Sequence, residues 1–542
     1  MTIRETIEQT SVTETPAATE TSIRFTDRAA EWGVDFVPRT GRERNHFTIL
    51  ESLGTGVAIT DLDGDERPDI VAAGGGTFDE AAQPIGIPCG VFRQRPELQF
   101  QNVTPHSGID SQQAYTHGVV TADWNNDGFE DIVITGYRSV RLFQNAGDGT
   151  FLDVTTRAGL IQDSWATSAA FLDADGDGNL ELFVTNYVDW IPDPDRECMV
   201  QGHRDVCPPG EFEAQRDHLY RNEGDGRMTE IAAEVGMTEA GKGLAVISGD
   251  IDLDGDTDVY VANDTTANLL YLNDGRGRFE ERGLISGCAL GATAEAEGSM
   301  GVDFADFDQD GLPDIWVSNY ENQSFAMYQS RGPAIFQHVS RITGISAVGQ
   351  LYVGFGTVAF DADLDGDQDI FAANGHVMYA SGKAPPDQQP LLYENMNGRV
   401  FRNVAEDTGE YGRKAHMGRG VAAGDVDGDG RTDIVVAHSN APLAVLKNTS
   451  KTSGSFVRLR LHGRASNRSA IGTSITTAAG DQLRLSTSGG SYLSDSHNVL
   501  QFSVPKTSTS IRLRIKWPNG ILQNRDCPEI KLNRVVQPCG MN

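Results

Sequence analysis

The chain has 542 residues, with 77 Asp and Glu against 44 Lys and Arg, a net charge of −33 and 39% hydrophobic residues. That length accommodates two or more domains with full cores, and the acidic excess works against nucleic acid or an anionic membrane as partner. No run of 18 apolar residues occurs, so no membrane-spanning helix is expected.

Residues 1–22, MTIRETIEQTSVTETPAATETS, are polar and rich in Thr and Glu, and read as a disordered tail. They contain no apolar stretch of the kind a secretory leader needs. The sequence as it stands therefore reads as cytoplasmic, the alternative being a secreted or periplasmic protein whose leader has been removed.

Residues 23–450 repeat one theme seven times: a nine-residue acidic loop between two short apolar runs. Runs such as GVAIT and GVVTA lead in, and DIVAAG, DIVITG or DIWVSN follow; these read as β-strands. The flanks lack the helical period that an EF-hand requires. The loops offer Asp61, Asp63, Asp65 and Asp69; Asp123, Asn125, Asp127 and Asp131; then Asp173, Asp175, Asp177 and Glu181. They continue with Asp250, Asp252, Asp254 and Asp258; Asp306, Asp308, Asp310 and Asp314; Asp361, Asp363, Asp365 and Asp369; and Asp425, Asp427, Asp429 and Asp433.

Side-chain oxygens thus fall at positions 1, 3, 5 and 9 of every copy. Calcium takes about six to eight oxygens from such a tight loop. Position 7 runs from Arg67 to Leu312, as expected of a residue that lends only its carbonyl. Position 6 is Gly in six copies, suiting a sharp turn, and Glu66 in the first. Up to seven structural Ca²⁺ ions are expected; with their shells filled by carboxylates they would be poor Lewis acids.

Each repeat continues into a turn such as LFQNAGDGTF or LYLNDGRGRF and a closing segment such as FLDVTTRAGL. Six closing segments follow a loop; the seventh, FTDRAAEWGV from Phe25, precedes the first loop, while the last repeat stops at APLAVLKN. The expected fold is all-β: a seven-bladed propeller over 23–450, closed by the N-terminal strand so that no sheet edge is left. A small β-rich module follows over 453–537. Residues 451–542 carry 13 Lys and Arg against 4 Asp and Glu, a surplus of nine that leaves −42 on residues 1–450. Docking of this basic module on the acidic ring is preferred over binding of a free anion.

The strings MGVDFADFDQDGLPDIWVSN, NGHV at 374–377 and GRGVAAGDVDGDGRTDIVV, with NRSAIG at 467–472, GGSYLS at 489–494 and WPNG at 517–520, carry a family resemblance. The chain resembles the cartilage-acidic-protein family, with integrin-like FG-GAP/VCBS repeats and a C-terminal ASPIC/UnbV domain, over roughly residues 23–537. The resemblance implies a calcium-bound propeller with a β-rich cap module and fixes no single activity. It also strengthens a local disulfide between Cys198 and Cys207, two of six cysteines; the spacing around His203 fits no standard zinc site. Cys527 and Cys539 offer a second staple, whereas Cys89 and Cys288 have no obvious partner.

If the inner strand of each blade runs toward its acidic loop, the residues before it meet on the opposite face. That register gives His117, Trp165, Lys242, Glu297, Tyr352, His416 and Arg419. The loops after the second strands add Asn186, Tyr187, Asn263, Asn319, Tyr320, Asn374, His376 and His438, of which His376 is read as a turn brace. His117, Lys242, Glu297, Tyr352, His416 and Arg419 are the candidate catalytic or binding groups: Glu297 or a histidine as acid or base, Lys242 and Arg419 as holders of an anionic or carbonyl group. No nucleophile elbow, phosphate loop, zinc-hydrolase motif or dinucleotide fingerprint appears. The leading reading is a calcium-stabilised propeller that recognises a small molecule or protein through the face opposite the loops. The alternative is an intracellular biosynthetic enzyme, a non-redox cyclase or transferase, using that same face.

Overall fold

A computed structural model describes residues 20–109, 114–161, 163–193, 195–200, 202–379, 384–508, 510–528 and 532–538. Among them, seven four-stranded antiparallel sheets recur, one carrying a fifth short strand. Each sheet begins with an inner strand that ends at an acidic loop: Val57–Thr60, Thr116–Ala122, Ala166–Leu172, Gly243–Gly249, Ser299–Ala305, Gly354–Phe360 and Gly418–Gly424. These strands touch one another in cyclic order, the last against the first. Their small residues allow that approach. A Cβ on Gly301 would lie 2.2 Å from the Phe355 carbonyl oxygen of the next blade, and one on Gly356 would lie 2.4 Å from that of Arg419.

The ring closes as the closing segments predict. Phe25–Asp27 pairs antiparallel with Ala441–Asn448, Phe25 opposite Asn448 and Asp27 opposite Leu446. Ile23 and Phe25 are buried in the core between the last two blades, and Trp32 and Val34 in the core between the last and the first. The chain enters the fold before Ile23. Thr21 is buried and donates to Glu394 at 3.0 Å, and Ser22 donates to Asp363, so the tail boundary expected at residue 22 falls earlier because both hydroxyls have carboxylate partners. Residues 1–19 lie outside the described residues.

Neighbouring blades are clasped by a side chain the sequence reading passed over. The Asn of the turn after the third strand sends its amide to a main-chain carbonyl inside the preceding blade's acidic loop. Asn145 donates to Leu62 O (2.8 Å), Asn222 to Trp124 O (2.9 Å), Asn273 to Ala174 O (2.8 Å), Asn395 to Phe307 O (2.9 Å) and Asn448 to Ala362 O (2.8 Å). Gln94 does the same to Val426 O at 2.7 Å, joining first blade to last. Each bond satisfies a buried carbonyl that water cannot reach.

The C-terminal module is two sheets around a core that includes Val457, Leu459, Phe502, Ile515 and Trp517. Ser455–His462 pairs with Leu500–Val504 and, in parallel, with Leu532–Val536; the second sheet holds Ser474–Thr477 and the hairpin Ser510–Lys516/Leu522–Pro528. From this module the segment 488–497 runs down the propeller axis. It exchanges hydrogen bonds with the inner strand of every blade: Val57, Val119, Ser168, Val246, Val302, Thr357 and Ala423 each bond to one of its residues. The axis-facing edges of seven inner strands would otherwise carry unpaired amides, and this one strand satisfies them. The channel is therefore filled, with Tyr492 and Leu493 at most 1% exposed.

Candidate metal centres and the opposite face

Each acidic loop turns on its own carboxylates. Position 1 accepts the amide proton of position 6 in every copy and that of position 5 in four, as Asp61 does from Asp65 and Glu66 (both 3.1 Å), and Asp306 from Asp310 (3.0 Å) and Gly311 (3.1 Å). Position 6 has positive φ throughout, from Gly255 at 113° to Glu66 at 67°. Position 9 begins the second strand, and both of its oxygens accept amides. One comes from position 2 of the loop (Leu62 to Asp69, 3.0 Å) and one from the third strand (Gln94 to Asp69, 2.8 Å). All seven copies keep this arrangement, including Glu181, whose longer side chain reaches Ala174 N at 2.8 Å and Asn222 N at 3.3 Å.

The loop interiors gather oxygens. Asp61, Asp63 and Asp65 bring one oxygen each within 4.8 Å of one another, as do Asp173, Asp175 and Glu181; Asp250, Asp252 and Asp254; Asp306, Asp308 and Asp314; and Asp361, Asp363 and Asp365. Buried oxygens of Asp173, Asp250, Asp308 and Asp425 have no hydrogen-bond partner. Burial first, and neighbouring carboxylates after it, push the ninth-position carboxyls upward: Asp69 to about 7, Glu181 to about 8, Asp131 to about 9. Asp258, Asp314, Asp369 and Asp433 are also raised, for the same leading cause. Convergent, orphaned and desolvated oxygens are the donor set a hard divalent cation fits, and such an ion would supply the positive charge that holds them together.

The basic module sits on this face. Arg460 meets Asp61 at 2.5 Å, Arg468 meets Asp123 at 3.3 Å, Lys516 lies 3.6 Å from Asp250, and Arg458 pairs with Asp425. Docking on the acidic ring, the reading preferred from the charge distribution, is what the structure has.

The opposite face is closed by insertions that include residues 39–53, 74–90, 187–193, 202–216, 375–379 and 384–388. Arg42 donates to the carbonyls of Val377 (2.9 Å) and Met378 (2.6 Å) and lies over Tyr379, whose amide donates to Asp205 at 2.9 Å. Cys198 and Cys207 form a disulfide within the 187–216 insertion. Cys288 and Cys527 are buried thiols, and Cys539, the proposed partner of Cys527, lies outside the described residues. Under the cap, Leu50, Trp165, Tyr187, Trp190 and Phe355 pack around the tip of the axial segment, and Tyr492 donates to Leu53 O at 3.0 Å.

This packing corrects the open pocket expected from the sequence. His117 and Arg419 are wholly buried. His117 is tied to Gly54 O at 2.9 Å and stacked on Trp165, and burial lowers it to about 4. Arg419 donates to the carbonyls of Ser52 (2.9 Å), Gly375 (3.2 Å) and Gly418 (2.7 Å), and lies 3.9 Å from the Phe355 ring centroid. Lys242 donates to Pro209 O at 2.7 Å. Glu297, raised to about 7 by burial, accepts from Asn319 at 2.6 Å. Tyr352 packs at the edge of the core containing Trp316 and Phe325, and His416 stacks on Tyr411. The structure thus joins His117, Trp165 and Arg419 in the axial core and leaves Lys242, Glu297, Tyr352 and His416 at separate turns. Register in the repeats gives no sign of the axial strand or of the insertions that fill the centre. Asn186, Asn263, Asn319 and Asn374 brace turns by donating to main-chain carbonyls, and His376 accepts from Met378 N at 3.1 Å, the bracing role expected of it.

The FG-GAP-like repeat family matches residues 61–134, 123–184, 202–261, 250–317 and 361–436, and the ASPIC and UnbV family matches 463–537. Cartilage acidic protein 1 of Mus musculus is 24% identical over 520 residues, covering 90% of this chain and 73% of that protein. The Homo sapiens protein of the same name is 23% identical over 521 residues, covering 90% and 72%. Among solved structures, an Agrocybe aegerita lectin recognising non-reducing terminal N-acetylglucosamine aligns with a TM-score of 0.41 and 17% identity, over 72% of this chain and 87% of that one. The BP39L lectin of Burkholderia pseudomallei aligns with a TM-score of 0.43 and 10% identity, over 73% and 96%. The chain belongs to the family of FG-GAP-like repeat proteins that carry an ASPIC and UnbV domain at the C-terminal end.

Proposed function

We propose that this protein is a calcium-stabilised recognition propeller that binds its ligand through the capped face opposite the acidic loops. The observation that carries the reading is the asymmetry of the faces: the loop face is covered by the chain's own module, while the insertions concentrate on the other. There, His46, Phe47, Trp190, Arg196, Arg204 and Phe212 line a cavity of about 200 Å³. Aromatic walls with a few directed polar groups are what ligand sites are made of. Arg196 lies over Phe212 and Arg204 over Phe47, so cationic and ring surfaces are already paired at its rim.

Packing of His117 and Arg419 into the axial core, away from any open pocket, favours recognition over the enzyme alternative. The Cys198–Cys207 disulfide supports an oxidising compartment over the cytoplasm. The test is a glycan and peptide array probed with the full chain. Binding should disappear in a triple variant of exposed cap residues, Ile191→Asp, Arg196→Glu and Met199→Asp, and persist in Arg512→Glu with Asp526→Lys on the module's exposed hairpin. The opposite pattern overturns the reading.

A further inference from the structure

The C-terminal module reaches the loops in a regular way. Its cations address position 1 of different loops: Arg460 at Asp61, Arg468 at Asp123, Lys516 at Asp250 and Arg458 at Asp425. Those four aspartates are between 1% and 8% exposed, and the side chains of Arg458 and Arg460 are largely buried with them, so these two pairs are desolvated contacts, whereas Arg468 is about half exposed. Position 1 is also a member of the converging oxygen set in five loops, those of Asp61 and Asp250 among them. One carboxylate therefore serves two purposes: it faces the loop interior with Asp63 and Asp65, or their counterparts, and it anchors the module outside.

We infer that the acidic loops and the C-terminal module form a calcium-dependent latch: metal in the loops fixes the first-position carboxylates, these hold the module's basic side chains, and the docked module keeps the segment 488–497 in the propeller axis. The inference rests on the calcium reading above. The loops carry 27 ligand carboxylates, and seven divalent ions leave about thirteen charges uncompensated, so metal does not remove the attraction for the module. Loss of metal leaves each carboxylate group to repel itself and spread. The anchors then lose their fixed positions, and charged pairs inside low dielectric depend on geometry. The axial strand is continuous with the module and is joined to the blades mainly by backbone and hydroxyl hydrogen bonds. It is the part that frees first, opening the channel that Tyr492 and Leu493 occupy.

The experiment is hydrogen exchange on the full chain, in calcium and in EGTA, with metal counted by elemental analysis in parallel. Amides 489–497 should lose protection by about tenfold or more in EGTA, while outer strands such as Leu269–Asn273 change by less than about twofold. Arg458→Gln with Arg460→Gln should release the same amides at saturating calcium with the metal count unchanged. If calcium is bound, EGTA strips it, and 489–497 stay protected, the latch is wrong and the calcium reading stands. Loss of protection in all strands together also overturns it, because metal would then hold the whole fold and not the module. No bound calcium in either buffer ends both readings at once.

Discussion

The two faces of this propeller are built by opposite means. The loop face is periodic: one carboxylate geometry repeated seven times, met by a module of opposite charge. The cap face is aperiodic: four insertions of unrelated sequence, held by a disulfide, an arginine threaded under two carbonyls and an aromatic core. Repetition makes a face whose parts are interchangeable and whose energy is electrostatic. Insertion makes a face whose parts are individual and whose energy comes from packing, which is where specificity for one ligand can be written.

If that contrast is right, metal removal produces the largest effect and strikes one face. In chelator the thermal midpoint should fall by about ten degrees or more, and its pH dependence should invert. The ninth-position carboxyls of the metal-free fold are raised, Asp131 to about 9 and Glu181 to about 8, above ordinary unfolded values near 4. Between those limits the folded chain binds more protons than the unfolded one, so metal-free stability is fullest at acid pH and is lost as pH rises through about 7 to 9. Calcium needs the deprotonated ligands, so its stabilisation grows over the same range. Calorimetry at pH 5 and pH 8, with calcium and with EGTA, should show opposite slopes; parallel slopes would break the account.

Tyr492→Ala comes next and tests where the two faces meet. The ring is wholly buried at the axial tip beneath the cap, 4.9 Å from Phe355 between centroids, with its hydroxyl on Leu53 O. Truncation should cost about 3–5 kcal/mol, measured by urea unfolding in calcium. Metal content should stay unchanged, because the loops lie at the other end of the axis. A loss below about 1 kcal/mol would mean that the axial segment adds little to the core.

How much of this was legible follows from the same contrast. Seven registered loops announce themselves against any background, and the two backbone amides that each position-9 carboxylate accepts, one per oxygen, explain why only Asp or Glu stands there. Counting closing segments was enough to place Phe25 beside Asn448, since a ring lacking one strand must recruit it from the other terminus. His117 and Arg419 were expected to line an open pocket and are instead wholly buried. Their burial depends on Tyr492, in a different domain of the chain, and on Leu50 and Leu53 in an insertion without periodicity. The clasp asparagines were visible as a recurring Asn in the LFQN, LYRN and LYLN turns, but the partner carbonyl lies in another blade, and local pattern does not show that.

Asn273→Ala sharpens the comparison at smaller scale. It removes the amide from Ala174 O and Thr257 O, leaving buried carbonyls without that donor. About 1–3 kcal/mol should be lost. The loss should be of similar size at Asn145 or Asn222, because the loop face is interchangeable in a way the cap is not. Widely different costs among the three would contradict that interchangeability.

The smallest effect is expected where the periodic face departs from its own rule. Glu66 holds φ at 67° in the position that six other loops give to Gly. A side chain there costs on the order of 1 kcal/mol, and Gly returns a comparable amount through the freedom it adds to the unfolded chain. Glu66 also meets Arg534 of the module at 2.6 Å, but both side chains are about half exposed, and such pairs contribute about 0–1 kcal/mol. Glu66→Gly should therefore shift stability by less than about 0.5 kcal/mol, and calorimetric titration should show calcium binding unchanged or slightly tighter. A loss above about 2 kcal/mol would place Glu66 among the groups that hold the ion or the module, and the first loop would then be a variant site and not a flawed copy.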